Sequence, residues 1–283
     1  MTKVGFNVLA WSAVVSEELF PIIDRLKDIG YDGIECFVGA PDEAAYQKVG
    51  DHARQLGLET TCVTVVSPNE NPIDPSAAVR EKGLNRIKWA IDRTHALGAK
   101  VLCGPFHSAH AHFPKHAPQD QEYGWAAEVL HAAGEHAAQA DITLAPEALN
   151  RFECYLCNTM DQLVRLVEAV DHPNVRAMFD THHANIEEKK LSKAIQTVAP
   201  VLAHVHISEN DRGTPGDGHV PWDDAFSALS AINYEGWLTI EAFSRADPDF
   251  ANSINVWREY SEPWDIAEQG LAHINQMREK YDL

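Results

Sequence analysis

Short apolar runs alternate with amphipathic segments along the whole 283-residue chain. In the amphipathic segments apolar residues recur every three or four positions, which predicts helices, and the runs between them are typical of buried strands. Eight strand–helix repeats in a chain of this length predict a single (β/α)8 TIM barrel. The predicted strands are 4–11, 33–38, 60–65, 101–106, 142–147, 175–180, 203–207 and 237–241, and the predicted helices include 17–29, 78–96, 125–139, 160–170 and 264–280.

An open, doubly wound α/β sheet is the alternative for such an alternation. That fold places a glycine-rich phosphate turn after an early strand, whereas the first predicted strand here leads into Trp-Ser-Ala-Val at residues 11–14. No low-complexity stretch or long linker interrupts the chain, so we expect one domain over residues 1–283.

The net charge narrows the range of binding partners, and the cysteine content indicates the cellular compartment. The formal net charge is −19, and so acidic a surface repels nucleic-acid backbones and anionic lipids. The chain has no run of about 18 apolar residues of the kind that spans a membrane, and its first residues enter a strand rather than a signal peptide. The cysteines are scattered and odd in number, which favours a reducing compartment. We therefore expect a cytoplasmic protein that binds neither nucleic acid nor membranes. Cys154 and Cys157 have the spacing of a zinc or redox pair, but a second pair is missing.

Acidic and imidazole side chains mark the ends of the last four predicted strands. In a closed barrel these strand ends are neighbours around one rim, which is where TIM barrels carry their chemistry. Three carboxylates and one imidazole form a hard, oxygen-rich set that suits one divalent ion such as Mn²⁺, Mg²⁺ or Co²⁺. The predicted ligands are Glu147, Asp180, His206 and Glu241.

Three more polar residues, Glu153, His183 and Arg212, follow the same strand ends. Arg212 offers a planar fork of donors that suits a substrate hydroxyl or an anionic oxygen. The simpler alternative for Arg212 is a surface ion pair with Asp211 or Asp217. The simpler alternative for His183 is a solvated loop position or a contact to a ligand.

Two loops and one histidine within a predicted strand indicate a function less specifically. Residues 213–218, Gly-Thr-Pro-Gly-Asp-Gly, lack the lysine of a P-loop, which favours a mobile covering loop or a plain turn over a phosphate cradle. Residues 107–116 contain four histidines without a helical metal-binding spacing, and we expect solvated side chains that partly line a pocket. His204 shares a strand face with His206 and is expected to support the ligands or to pack.

Together these residues resemble the ketose 3-epimerases, the D-tagatose, D-allulose and L-ribulose 3-epimerases of the xylose isomerase-like TIM barrels. The similarity is strongest in segments 147–153, 180–188, 204–212, 221–222 and 241–243, and weaker over nearly the whole chain. The resemblance implies one divalent ion, commonly Mn²⁺ or Co²⁺, on the four predicted ligands. It implies that Glu153, His183 and Arg212 hold the substrate.

Three departures from the family pattern leave the identity of the sugar open. Val63 stands where some relatives carry cysteine, and His182 stands where relatives usually have phenylalanine. The histidine-rich loop replaces a loop in which relatives often place aromatic residues against the sugar.

The resemblance implies an enzyme that inverts C3 of a free ketose through a cis-enediolate. Glu147 and Glu241 are the expected catalytic pair, one removing the C3 proton and the other returning it from the opposite face. An aldose–ketose or hydroxypyruvate-type isomerase, and a lyase or dehydratase of a 3-keto sugar, use the same site and are the alternatives. A nuclease of the same barrel type would need a basic groove, and a sugar-binding protein would not need the acid/base pair. Related barrels associate, so a homo-oligomer, a dimer or a tetramer, is expected.

Overall fold

The computed structural model describes residues 2–283 and has a barrel of eight parallel strands at its centre. Neighbouring strands pair in the order β5-β4-β3-β2-β1-β8-β7-β6. A parallel bridge between Leu144 and Val175 then joins β5 to the residues just before β6, which closes the sheet. The predicted TIM barrel is confirmed, and the open-sheet alternative is wrong. The strands are β1 Lys3–Asn7, β2 Gly33–Phe37, β3 Glu59–Val63, β4 Val101–Gly104, β5 Thr143–Pro146, β6 Ala177–Asp180, β7 Leu202–Ile207 and β8 Trp237–Ile240.

Helices cover the outside of the barrel. Local side-chain caps define several helix starts; for example, Asp42 accepts a hydrogen bond from the Ala44 amide. Within residues 2–283, no helix combines the length and the apolar character needed to cross a membrane. The helices are α1 Phe20–Ile29, α2 Glu43–Gln55, α3 Ala77–Leu97, α4 Asp120–Gln139, α5 Met160–Val170, α6 Thr181–Glu187, α7 Leu191–Val198, α8 Trp222–Ala231, α9 Pro248–Ser253 and α10 Pro263–Tyr281.

Alternate residues of each strand face two different environments. The outward residues, such as Phe6 and Val205, pack beneath the helices in the main hydrophobic core. Inside the barrel, the Trp237 indole lies where a Cβ on Gly33 would be only 2.6 Å from it, so the glycine leaves room for this ring. Towards the carboxyl ends of the strands the interior becomes polar, and its polar residues are buried. They include Asn7, Glu35, Thr61, Cys103, His204 and His206.

The largest difference from the predicted elements is in the first strand, which was expected to reach residue 11. β1 ends at Asn7 because the Asn7 side chain accepts a hydrogen bond from the Leu9 amide and turns the chain into a 3₁₀ helix, Val8–Ala10. Glu17–Leu19 is likewise a 3₁₀ turn that precedes α1. The predicted helix 125–139 begins earlier, at Asp120.

The glycine-rich loop is fixed by one buried carboxylate. Glu209 accepts hydrogen bonds from the Gly216 amide at 2.8 Å, the Val220 amide at 3.0 Å and the Trp222 indole N–H at 3.1 Å. A Cβ on Gly218 would lie 2.5 Å from Glu209 Oε1, so glycine permits this close approach. The loop is thus a folded turn around Glu209 in the structure.

Replacing Glu209 by alanine should lower the free energy of unfolding by about 2–4 kcal/mol, because several buried donors lose a charged acceptor together. Asp217→Ala is the matched control, since Asp217 is exposed in the same loop and its loss should change the free energy by less than about 0.5 kcal/mol. Urea denaturation of the two variants measures the difference, and equal stabilities would contradict this role of Glu209.

Candidate metal centre

The four predicted ligands converge at the carboxyl ends of the strands. Asp180 ends β6 and His206 lies near the end of β7, whereas Glu147 and Glu241 directly follow β5 and β8. All four are buried, and one potential ligand atom from each lies within 4.8 Å of the others. His206 Nδ1 is 3.7 Å from Asp180 Oδ2 and 3.5 Å from Glu241 Oε2.

Two atoms of this cluster have no hydrogen-bond partner although they are buried, namely Glu147 Oε1 and His206 Nδ1. Burial, together with the charges of Glu241 and Asp180, raises the pKa of Glu147 well above its usual range. Crowded carboxylate oxygens and an unpartnered imidazole nitrogen are what a divalent cation neutralises and coordinates. The donor set therefore fits the predicted ion.

The two carboxylate oxygens of Asp180 have different roles: one caps a helix and the other faces the candidate metal centre. Oδ1 accepts hydrogen bonds from the amides of His182 and His183 and so caps α6, while Oδ2 faces His206 and Arg212. Burial alone would raise the pKa of Asp180, but the charge of Arg212 outweighs burial and lowers it. The helix cap thus holds the ligand oxygen in a fixed direction.

Arg212 is buried against the predicted ligands. The alternative for this residue, a surface ion pair with Asp211 or Asp217, is therefore wrong. Its Nη1 lies 2.9 Å from Glu241 Oε2 and 3.3 Å from Asp180 Oδ2. The backbone of Arg212 has φ 66, a left-handed conformation that a non-glycine residue adopts at a cost of about 1 kcal/mol or more. The strained backbone directs the guanidinium into the site.

His183 and Glu153 are linked by Asn150, which the sequence analysis did not single out. The Asn150 amide nitrogen donates to His183 Nδ1 at 3.1 Å, and its side-chain NH₂ donates to Glu153 Oε1 at 2.8 Å. Burial and the Arg212 charge lower the pKa of His183 to about 3, so this imidazole is neutral. Its Nε2 lies 2.7 Å from Arg212 Nη2 and 3.6 Å from Glu147 Oε1.

A cavity of about 730 Å³ opens over this cluster. The volume lies in the range of small-molecule sites. Polar residues on its floor include Glu147, Glu153, His183, Arg212 and Glu241, and apolar walls come from residues such as Leu9, Phe37, Phe243 and Phe250. Two of the predicted ligands, Glu147 and Glu241, therefore line one concave site together with the predicted substrate contacts.

The histidine-rich loop separates into buried and exposed residues. His107 is buried and its Nε2 donates to the Glu147 carbonyl oxygen at 2.8 Å. His110 lines the cavity 3.9 Å from Glu153 Oε2, whereas His112 and His116 are exposed. The expectation of solvated histidines is thus wrong for His107, since the sequence gives no sign that this residue turns inward.

A second residue that the sequence analysis did not single out, the acidic Glu35, lies below the ligands. Glu35 is fully buried in the barrel interior, 2.7 Å from His206 Nε2 and 3.0 Å from His204 Nε2. Burial alone would raise the pKa of Glu35, but the neighbouring imidazoles of His206 and His204 outweigh burial and hold it well below its usual range. A carboxylate at the inward-facing centre of an apolar run is the signal that marks this residue.

The sequence and the fold both match known proteins. Residues 23–276 match the family described as xylose isomerase-like TIM barrel. The chain belongs to this family. It is 31% identical over 273 residues to the D-psicose 3-epimerase of Agrobacterium fabrum, an alignment that covers 94% of this chain and 93% of the relative.

Solved structures of ketose 3-epimerases have this fold over nearly their whole length. A D-allulose 3-epimerase from Methylomonas sp., in complex with D-allulose, matches with a TM-score of 0.91 at 29% identity and covers 98% of this chain and 97% of that one. An L-ribulose 3-epimerase matches with a TM-score of 0.93 at 27% identity and covers 100% and 96%. The chain is therefore a member of the ketose 3-epimerases, which are isomerases.

The buried state of His107 predicts a pH dependence of stability. Burial lowers the pKa of His107 to about 4, although the hydrogen bond to the Glu147 carbonyl opposes this shift. Between about pH 6.5 and 4 the unfolded chain binds the proton while the folded one does not, so stability present above pH 6.5 is lost as the pH falls, by about 3 kcal/mol.

His107→Gln keeps a donor for the carbonyl but cannot be protonated. Urea denaturation of the metal-free proteins should show a smaller loss of stability between pH 7 and 4 for this variant than for the unaltered chain. His112→Gln, exposed in the same loop, should follow the unaltered chain. An unchanged slope for His107→Gln would mean that His107 is accessible to protons in the folded state.

Proposed function

We propose that this protein is a divalent-metal-dependent ketose 3-epimerase that inverts C3 of a free ketose through a cis-enediolate. The observation that carries the proposal is the set of buried, incompletely partnered ligand atoms at and beneath the floor of a sugar-sized cavity. The comparisons support it, because relatives similar in sequence and in fold over most of the chain are named as 3-epimerases of ketoses.

Glu147, Asp180, His206 and Glu241 hold the ion in this proposal, and Mn²⁺ suits them best, with Co²⁺ or Mg²⁺ as other occupants. When bound, the ion supplies Lewis acidity to the C2 carbonyl and the neighbouring C3 oxygen. The residues themselves supply proton transfer, orientation and the exclusion of water.

Glu147 and Glu241 are the proton-transfer pair. They follow β5 and β8, two strands that are separated around the barrel by β6 and β7, so their carboxylates approach a sugar from different sides. One carboxylate removes the C3 proton and the other delivers a proton to the opposite face, which inverts the centre.

His183, Arg212 and Glu153 orient the sugar. The neutral His183 ring lies beside Arg212, whose Nη2 is 2.7 Å from His183 Nε2, and the guanidinium donates where an oxygen of the enediolate gains negative charge. Glu153, whose carboxylate is held by Asn150, accepts a hydrogen bond from a sugar hydroxyl. A free sugar is favoured over a phosphorylated one because Arg212 is already paired with Asp180 and Glu241, and the outer wall carries Asp247 and Asp249.

We propose further that residues 1–283 act as one domain and that the enzyme works in the cytoplasm. Five unpaired cysteines support a reducing location. Phe152 and Trp257, which are 72% and 68% exposed, support a homo-oligomer, a dimer or a tetramer, because large exposed apolar side chains are typical of contact surfaces.

Glu147→Gln and Glu241→Gln should each lower the rate of C3 epimerisation by about 10²–10⁴-fold, because an amide cannot accept the C3 proton or return it. Far-ultraviolet circular dichroism checks that the variants fold, and chromatography of the ketose products gives the rate. Glu128→Gln, exposed on α4, is the control and should retain full activity. A Glu147→Gln or Glu241→Gln enzyme of unaltered rate would remove that residue from the mechanism.

Proton exchange identifies the reaction directly. The protein, stripped of metal and reloaded with Mn²⁺, is incubated in D₂O with a panel of free ketoses. After the ion is removed, NMR should show deuterium at C3 in both the starting sugar and its C3 epimer. Deuterium at C1 with an aldose product would instead indicate an aldose–ketose isomerase. Loss of water from the sugar would indicate a dehydratase.

A further inference from the structure

Glu35 is a buried carboxylate whose presence is explained neither by proton transfer nor by substrate binding. It lies in the middle of β2 with its side chain fully enclosed in the barrel interior. Burying an ionised carboxylate is costly unless several hydrogen bonds compensate it. The partners of its two oxygens therefore indicate what the residue does.

Oxygen Oε1 faces the candidate metal centre. His206 Nε2 lies 2.7 Å from it. A carboxylate oxygen only accepts, so His206 Nε2 carries the proton, and the neutral ring that binds a cation has its lone pair on Nδ1. That same Nδ1 is the atom that lacks a partner and faces Asp180 and Glu241. Glu35 thus selects the tautomer and the ring orientation in which His206 can bind a cation.

The same oxygen is connected to a second ligand through Asn7. Asn7 Oδ1 accepts a hydrogen bond from the Leu9 amide at 3.0 Å, which fixes the orientation of the side-chain amide. Its NH₂ group then donates to Glu35 Oε1 at 3.0 Å and to Glu241 Oε1 at 3.3 Å. One buried carboxylate is therefore linked to two of the four ligands.

Oxygen Oε2 is held by side chains from β3, β4 and β7. The Thr61 hydroxyl donates to it at 2.9 Å and the Cys103 thiol at 3.4 Å, and His204 Nε2 lies 3.0 Å away. These contacts leave the Glu35 carboxylate little freedom to rotate. Its direction toward His206 is consequently set by neighbouring strands and does not depend on the ion.

We propose that Glu35 is a positioning residue that orients His206, and through Asn7 also Glu241, and so determines how tightly the divalent ion is held. The inference rests on the metal site of the proposed function but not on the identity of the sugar. Glu35 itself does not contact the substrate, since the carboxylate lies beneath the ligands in the closed interior.

Glu35→Gln tests the proposal with little change of shape. The amide oxygen can accept from His206 on the Oε1 side, while the NH₂ group faces the Thr61 hydroxyl, but the negative charge is lost. Isothermal titration of the metal-free protein with MnCl₂, without sugar, should give a dissociation constant about 10–100-fold larger than that of the unaltered protein, the usual effect of losing such a partner. Circular dichroism establishes that the titrated protein is folded.

Thr61→Val is the matched control, because it removes a hydrogen bond to the other oxygen and leaves the bond to His206 in place. Its dissociation constant for Mn²⁺ should stay within about threefold of the unaltered value. Affinity for Mn²⁺ that is unchanged in folded Glu35→Gln would show that the Glu35 carboxylate does not determine how tightly the ion is held, and would overturn the proposal. An unaltered protein that binds no Mn²⁺ would overturn the metal site of the proposed function together with this inference.

A measurement on the unaltered protein keeps the proposal testable if Glu35→Gln does not fold. Long-range ¹H–¹⁵N NMR of the protein saturated with Mg²⁺ should show His206 protonated at Nε2 and unprotonated at Nδ1. Protonation at Nδ1 would mean that Glu35 does not set the tautomer, and would overturn the proposal. Both results are independent of epimerase activity, so a failure of the sugar assignment is distinguishable from a failure of this inference.

Discussion

Repulsion among buried carboxylates is the constraint on which the rest of this structure depends. Like charges enclosed in a barrel are tolerated only where cations or donors compensate them. Here Arg212 lies between two of the carboxylates, and imidazoles and amides contact the others. The compensation is incomplete at the top of the cluster, and this is where a divalent cation fits. The carboxylates are Glu35, Glu147, Asp180 and Glu241.

The surrounding backbone holds this arrangement in place by independent means. Asp180 is fixed because it caps α6, and Arg212 is fixed by a left-handed backbone whose carbonyl accepts from the Phe243 amide at 2.9 Å. Glu209 immobilises the loop that follows. Each charged group is therefore positioned by its own strand end or turn, so the site is assembled by folding and does not require the substrate to organise it.

The fold and the cluster of predicted ligands follow from the sequence for one physical reason. Strand and helix periodicities identify the barrel, and the barrel rule places all strand ends at one rim. Contacts that depend on the direction of a side chain do not follow from such patterns. Arg212 and Asp211 are neighbours in sequence, yet only the turn geometry buries the former. His107 enters the interior from a loop whose other histidines stay largely outside, and Glu35 lies in mid-strand, where the rule for strand ends does not apply.

The closure of the barrel gives the ion a mechanical role as well. In residues 2–283, β5 and β6 are joined through a single bridge at Leu144, with Arg176 donating back to the Leu144 carbonyl at 2.8 Å. Glu147 and Asp180 lie at the upper ends of these two strands. An ion bound to both would cross-link the shortest seam of the cylinder, so the loaded barrel resists opening between β5 and β6 more than the empty one does.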